Sequence, residues 1–248
     1  VGSNAVTTWE FPHQIGSMGL TQSGACVMAT GSDIILFDPS TSTRTRLASP
    51  LQGLTDVRFN DGKCDPQGRF WVGSMHKKYA ADVGQIFRSD GAGCVVMDEE
   101  FGVPNGPAWS PDGSRFVFSC STSDTTYFYD FDADTGSITN QRVGYPPKTA
   151  PGFPDGAAMD ADGCLWSARW DGGCVARITP DGRVDRLVGL PCSRVTSCAF
   201  GGPRLETLYV TTARSGLTEA ELADQPLAGS VFAIDPGVAG VPVAAFRD

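Results

Sequence analysis

Arg58-Phe59-Asn60-Asp61-Gly62-Lys63-Cys64-Asp65-Pro66-Gln67-Gly68-Arg69-Phe70-Trp71-Val72-Gly73-Ser74 is the stretch that decides the fold, because the chain returns to its pattern. VPNGPAWSPDGSRFVFS (residues 103–119) and FPDGAAMDADGCLWSAR (residues 153–169) carry the same order of features. A Gly preceded by Asn or Asp comes first, then a polar turn closed by a second Gly, then an aromatic run. The turn glycines Gly68, Gly113 and Gly163 lie 45 and 50 residues apart, a period that belongs to stacked or radially arranged supersecondary units. TQSGACVMATGSDIILFD near Gly24 and AFGGPRLETLYVTTAR near Arg204 are fainter copies one period to either side. Five copies are visible.

Within a copy, short alternating runs such as Phe70-Trp71-Val72 and Leu208-Tyr209-Val210 are followed by second runs such as GQIFRSD, TTYFYDFD, GCVARITP and GSVFAIDP. Punctuated by Asp-Gly and Pro, these predict antiparallel strands joined by tight turns. About four strands per repeat with almost no helical periodicity describes a β-propeller blade rather than a solenoid coil. A β-sandwich, the competing all-β architecture, has no reason to repeat at this interval. The exception to the strand pattern is TEAELAD, which predicts a helical turn with Thr218 as N-cap and Glu221 completing a capping box.

The repeats run from end to end of the 248 residues without a linker, so residues 1–248 read as one propeller domain. No apolar stretch approaches the roughly eighteen residues of a membrane span. The net charge of −9 excludes the basic grooves that nucleic-acid binders use to displace counterions. The eight cysteines contain no C-x-x-C pair and sit mostly in apolar strand runs, which predicts buried free thiols and a reducing, cytoplasmic setting. The chain begins at Val1 rather than Met.

Two histidines, His13 and His76, leave no room for a histidine-rich metal site, and no G-x-S-x-G elbow supplies a serine nucleophile. Any metal must therefore be held by oxygen donors, the chemistry of hard divalent cations. Asp130-x-Asp132-x-Asp134-x-Gly136 imitates the opening of an EF-hand loop, but Thr135 stands where that loop needs Gly and Gln141 where it needs Glu. With Tyr127, Tyr129 and Phe131 interleaved, these aspartates read as the solvated face and turn of a hairpin. Asn60, Asn105 and Asp155 come from three successive repeats, and equivalent positions of propeller blades ring the central channel. Pattern alone leaves two readings open: turn-forming residues, or an oxygen-ligand site assembled from three blades.

At RFNDGKCDPQGRFWVGSM, PNGPAWSPDG, PDGAAMDADGCLWSARW and TSCAFGGPRLETLYVTTAR the chain resembles, in order and spacing, the gluconolactonase, regucalcin and luciferin-regenerating-enzyme family. GLTEAELADQPLAGSVFAID resembles the bacterial sugar-lactonase branch. The resemblance implies a six-bladed propeller holding one divalent metal, whether calcium, zinc, manganese, magnesium or iron(II). It implies that Asn105 and Asp155 are metal ligands and that Arg58 and Asn60 bind substrate; the chemistry of lactone hydrolysis then makes Asp155, whose second oxygen can take the attacking water's proton, the catalytic base. The implied reaction is hydrolysis of a sugar lactone to its aldonic acid. The alternatives are a calcium- or sugar-binding regulator, or an aryl-ester or organophosphate hydrolase using the same metal. The family's third ligand, a Glu in a Gly-Glu-x-Pro-x-Trp segment, has no counterpart, since Glu10 in TWEFP lacks the glycine and falls too far along. That shortfall, with five visible repeats, predicts an incomplete N-terminal blade and about forty further residues in the natural protein.

Overall fold

The computed structural model describes residues 6–248. They form five antiparallel sheets, each a consecutive segment of chain. The first holds β1 (Ile15–Leu20), β2 (Cys26–Thr30), β3 (Asp33–Asp38) and β4 (Thr43–Ala48). The second holds β5 (Val57–Cys64), β6 (Phe70–His76), β7 (Gly84–Ser89) and β8 (Cys94–Phe101), and the third β9 (Pro104–Trp109), β10 (Arg115–Cys120), β11 (Thr125–Asp132) and β12 (Ser137–Tyr145). The fourth comprises β13 (Phe153–Met159), β14 (Leu165–Trp170), β15 (Cys174–Ile178) and β16 (Val184–Gly189). The fifth has three strands, β17 (Val195–Gly201), β18 (Thr207–Thr212) and β19 (Val231–Ile234), with the helix α1 (Glu219–Asp224) between the last two. Each sheet is ordered as its strands occur in sequence, and the first strand of each packs against the first strand of the next. This is the radial arrangement of propeller blades.

Two expectations are corrected. The described residues hold five blades rather than six, and the blade short of a strand is the last rather than the first. The N-terminal run has turn chemistry enough for a full four-stranded meander, β1 to β4. After Ile234 the chain instead meets Pro236 and Pro242, which cannot donate to a ladder, and it leaves the sheet. It crosses to other blades, first the neighbouring fourth and then the first and second: Val241 N–H donates to Met159 O, Phe246 N–H to Leu20 O and Arg247 N–H to Gly68 O. Phe246 is fully buried beside Val27, Phe59 and Phe70 of the first two blades.

Burial falls from the middle strands to the rim, as a blade sandwiched between neighbours requires. β10 (RFVFSC) is buried on both faces, whereas β12 (SITNQRVGY) is mostly exposed. Trp71, Trp109 and Phe116 pack between the second and third blades, with Trp71 and Phe116 centroids 4.9 Å apart. The recurrent turn has its own logic. Asp65 and Asp160 are fully buried, and each carboxylate accepts from backbone N–H groups of its turn, from a Trp six residues on (Trp71 Nε1 at 3.0 Å, Trp166 Nε1 at 2.8 Å), and from an Arg. A buried carboxylate needs that much compensation. In the third blade Ser110 takes the position and accepts from Arg115 N.

The predicted capping box is present, with Glu221 N donating to Thr218 Oγ1 and Thr218 N to Glu221 Oε2. All eight cysteines are free thiols, seven of them buried. Asp130 lies on β11 paired with Arg142 and Asn140, so the acidic run is a hairpin edge. No described helix is long and apolar enough to cross a membrane.

Candidate active site in the channel

All five first strands carry an irregularity near the same end. On β5, Phe59 pairs with Ser74 and Gly62 with Val72, so Asn60 and Asp61 together oppose Gly73. On β9, Ala108 pairs with Val117 and Asn105 with Ser119. On β13, Pro154 pairs with Arg169 and Ala157 with Ser167, so Asp155 and Gly156 oppose Ala168. One extra residue on a strand bends it and re-aims its side chains. Here the re-aimed side chains are those of the site. The glycines of these bulges are demanded by crowding: a Cβ on Gly106, whose φ is +60°, would lie 2.9 Å from Asp155 O and 2.8 Å from Ala157 Cβ on the next blade. Only Gly lets the inner strands approach so closely.

Arg58, Asn60, Asn105 and Asp155 all line one cavity of about 700 Å³. Arg58 Nη1 donates to Asn60 Oδ1 (3.0 Å) and to Phe59 O (2.8 Å). Asn60 Nδ2 donates across to Asn105 Oδ1 (2.8 Å) and Pro104 O (3.0 Å). Asn105 Nδ2 donates to Ser121 Oγ at 2.7 Å, and Ser121 Oγ to Pro154 O at 2.5 Å. A single polar chain therefore runs from the second blade through the third to the fourth, ending beside Asp155. Asn105 is 5% exposed, and the chain fixes which way its amide points: nitrogen to Ser121, oxygen to Asn60 and the channel.

Asp155 is the exception in this network. Among the described residues its carboxylate has no side-chain hydrogen bond, and desolvation in the channel, reinforced by the negative charge of Asp61, pushes its pKa up to about 8. Asp61 is the residue that the sequence reading passed over. Counting back from the glycines, Asp61 rather than Asn60 occupies the place of Asn105 and Asp155, so alignment on Gly62, Gly106 and Gly156 was the available signal. Its carboxylate turns away from the cavity, accepting from Gly62 N and from Gly106 N of the next blade, each at 2.8 Å. Lys63, also unremarked, spans from the second blade to the fourth, with Nζ 2.6 Å from Ala157 O; burial lowers its pKa. The cavity wall completed by Met75, Tyr79, Val103, Phe153, Trp170 and Ser215 left no mark in the repeat pattern.

The donor set suits a hard cation. A desolvated carboxylate held only by the backbone N–H of Gly156 and the nearby charge of Arg58, and an amide oxygen held toward the same space, are what a divalent ion would satisfy. Glu10 is exposed and does not line the cavity, and no cluster of three or more His, Cys, Asp or Glu occurs among the described residues. The carboxylate and amide thus stand as two protein donors rather than a complete cage.

A cavity in the channel of a β-propeller, lined by Arg58, Asn60, Asn105 and Asp155, defines the class. The chain belongs to the SMP-30/Gluconolactonase/LRE-like family, whose pattern matches residues 2–214. It is 40% identical over 237 residues to a 6-deoxy-6-sulfogluconolactonase of Pseudomonas putida, covering 95% of this chain and 81% of that protein. A pentonolactonase of Haloferax volcanii is 40% identical over 192 residues, covering 75% of this chain and 65% of the relative. The crystal structure of a calcium-binding regucalcin from Agrobacterium tumefaciens superposes with a TM-score of 0.91 at 27% identity, covering 98% of this chain and 82% of that one.

Proposed function

We propose that this protein hydrolyses a sugar lactone to the aldonic acid in the channel cavity, with Asp155 as base. The observation that carries the reading is Asp155: a desolvated carboxylate with no side-chain hydrogen bond among the described residues, in one cavity with Arg58, Asn60 and Asn105. The lactonase relatives of bacterial and archaeal origin support the substrate class. A divalent cation held by Asn105 Oδ1 and the Asp155 carboxylate would polarise the lactone carbonyl and keep Asp155 ionised. Calcium, magnesium, manganese, zinc and iron(II) are the candidates, and the calcium-binding relative favours calcium.

The chain's own residues divide the remaining work. Arg58 keeps Nη1 on Asn60 and Phe59 and presents the rest of its guanidinium to the substrate's hydroxyls in fixed geometry. Asn60 locks Asn105. Asp155 accepts a proton as water attacks the carbonyl carbon, then returns it to the ring oxygen when the C–O bond of the ester breaks. The free thiols support a cytoplasmic setting.

The test is proton release from a panel of aldonolactones with each of the five metals, using the parent and Asp155→Asn. The amide keeps a ligand oxygen but cannot take a proton, so the variant is expected to lose about 10²-fold or more in kcat. Turnover by Asp155→Asn at the parent rate overturns the assignment. Metal and lactone binding without turnover by the parent would instead favour a regulator.

A further inference from the structure

The cavity has two chemically distinct sides. Arg58, Asn60 and Asn105 bring polar groups from the second and third blades, while Trp170, at the end of β14, and Phe153, 47% exposed at the start of β13, give the fourth blade an aromatic wall beside Asp155. An aromatic residue left at a cavity wall costs solvation unless a ligand covers it. Trp170 is also held in place more firmly than a mouth residue needs to be. The Arg194 guanidinium stacks on its ring, with Cζ 4.9 Å from the centroid. Arg194 Nε donates to Asp171 at 3.2 Å, and its Nη1 donates to the carbonyl of Ser215, a cavity residue of the fifth blade. Arg194 itself does not line the cavity. Arg194 thus occupies one face of the indole, and Trp170 itself borders the cavity.

We propose that Trp170 is the platform on which the lactone ring lies, and that Arg194 is the positioning residue that holds it there. This rests on the lactonase reading and adds which ring face the site selects. A cyclic polyol has one face rich in polarised C–H bonds, and the negative π-face of an indole attracts such a face. A guanidinium on the opposite side pins the ring plane through cation–π attraction. The hydroxyls at the ring's edge are then directed toward Arg58. An open-chain aldonate has no flat C–H face to stack. The platform therefore favours the ring form over the hydrolysed product, which assists product release.

Binding of D-gluconolactam, whose ring N–H replaces the ester oxygen and resists hydrolysis, and of D-gluconate is measured by titration calorimetry in calcium-supplemented and metal-free buffer. Trp170→Ala is expected to weaken the lactam about tenfold while changing gluconate less than about threefold, the loss of one stacking contact and its area. Trp170→Phe should restore most of the lactam affinity, and Arg194→Met should reduce it with the same preference for the ring form. In parallel, KM for D-glucono-δ-lactone should rise about tenfold in Trp170→Ala with kcat little changed, the mark of uniform binding. Equal losses for lactam and gluconate, or no loss of lactam affinity, overturn the platform. A parent that binds lactam in a Trp170-dependent way yet hydrolyses no aldonolactone upholds the platform and overturns the hydrolytic reading instead.

Discussion

Asp155 is a group whose ionisation the fold works against, and that has a thermodynamic signature apart from catalysis. Its folded pKa, pushed up to about 8 by desolvation and the Asp61 charge, stands above the ordinary aspartate value near 3.8. Between those values the metal-free folded state holds a proton that the unfolded chain has released. Stability therefore falls as pH rises through that window. The expected result is that the metal-free parent loses melting temperature from pH 5 to pH 8 relative to Asp155→Asn, which has no charge to desolvate. Thermal melts of both proteins in chelator check it, and parallel pH curves would show that Asp155 is solvated. Added cation should remove most of the difference by supplying the missing counter-charge.

At the scale of the element, the bulged inner strand and the buried Asp–Trp turn are one device. The turn sets the register at one end of the hairpin, through Asp65 with Trp71 and Asp160 with Trp166, and the extra residue near the other end aims Asn60 or Asp155. Asp160 accepts from two turn N–H groups, Trp166 and Arg177, and Arg177 also engages Asp162 and Asp185. Removing the carboxylate leaves all of those donors facing a buried void. Asp160→Ala is expected to cost about 3–5 kcal/mol, the usual penalty for breaking a buried ion pair by removing one partner. Urea unfolding measures it; a loss below 1 kcal/mol would mean that water replaces the carboxylate. The repeat was legible because this turn chemistry is local, with Asp, Gly and Trp at fixed offsets. Asp61 was legible by alignment on Gly62, Gly106 and Gly156, but not that the bulge turns its carboxylate away from the cavity, because a bulge is a mismatch between two strands and one strand read alone does not show it.

For the molecule as a whole, the C-terminal segment joins what the blades leave separate. It pairs Gly240 with Asp160 on the fourth blade and Phe246 with Thr21 on the first, and buries the Phe246 ring among Val27, Phe59 and Phe70. Val241, Pro242 and Val243 on the way line a small void of about 60 Å³ together with Lys63. Phe246→Ala should therefore lower stability by about 3–5 kcal/mol, as for other buried phenylalanines. The expected signature is loss of cooperativity between the first and fourth blades, read by hydrogen exchange at β2 and β14. Unchanged protection in both would reduce the segment to a surface strand.

The sequence by itself determined the blade and the order of the blades, because strand periodicity, turn residues and a repeat of 45 to 50 residues are all local or simply periodic; the same repeat pointed to Asn60, Asn105 and Asp155, while Arg58 came from the family resemblance. It led to a sixth blade and an incomplete first one, whereas the described chain has five, with the three-stranded sheet last. Two prolines and a buried Phe redirected the tail, and where a tail docks depends on a surface made by distant blades. Only the tertiary structure decided that Asn60 reaches Asn105, that Ser121 reaches Pro154, and that Trp170 meets both Arg194 and the cavity. Those contacts join residues 33 to 45 positions apart, or 24 in the case of the cation–π pair. No local propensity encodes them. They exist because bulged strands of neighbouring blades, stripped of Cβ atoms at Gly62, Gly106 and Gly156, pack closely enough around the channel for short polar side chains to meet.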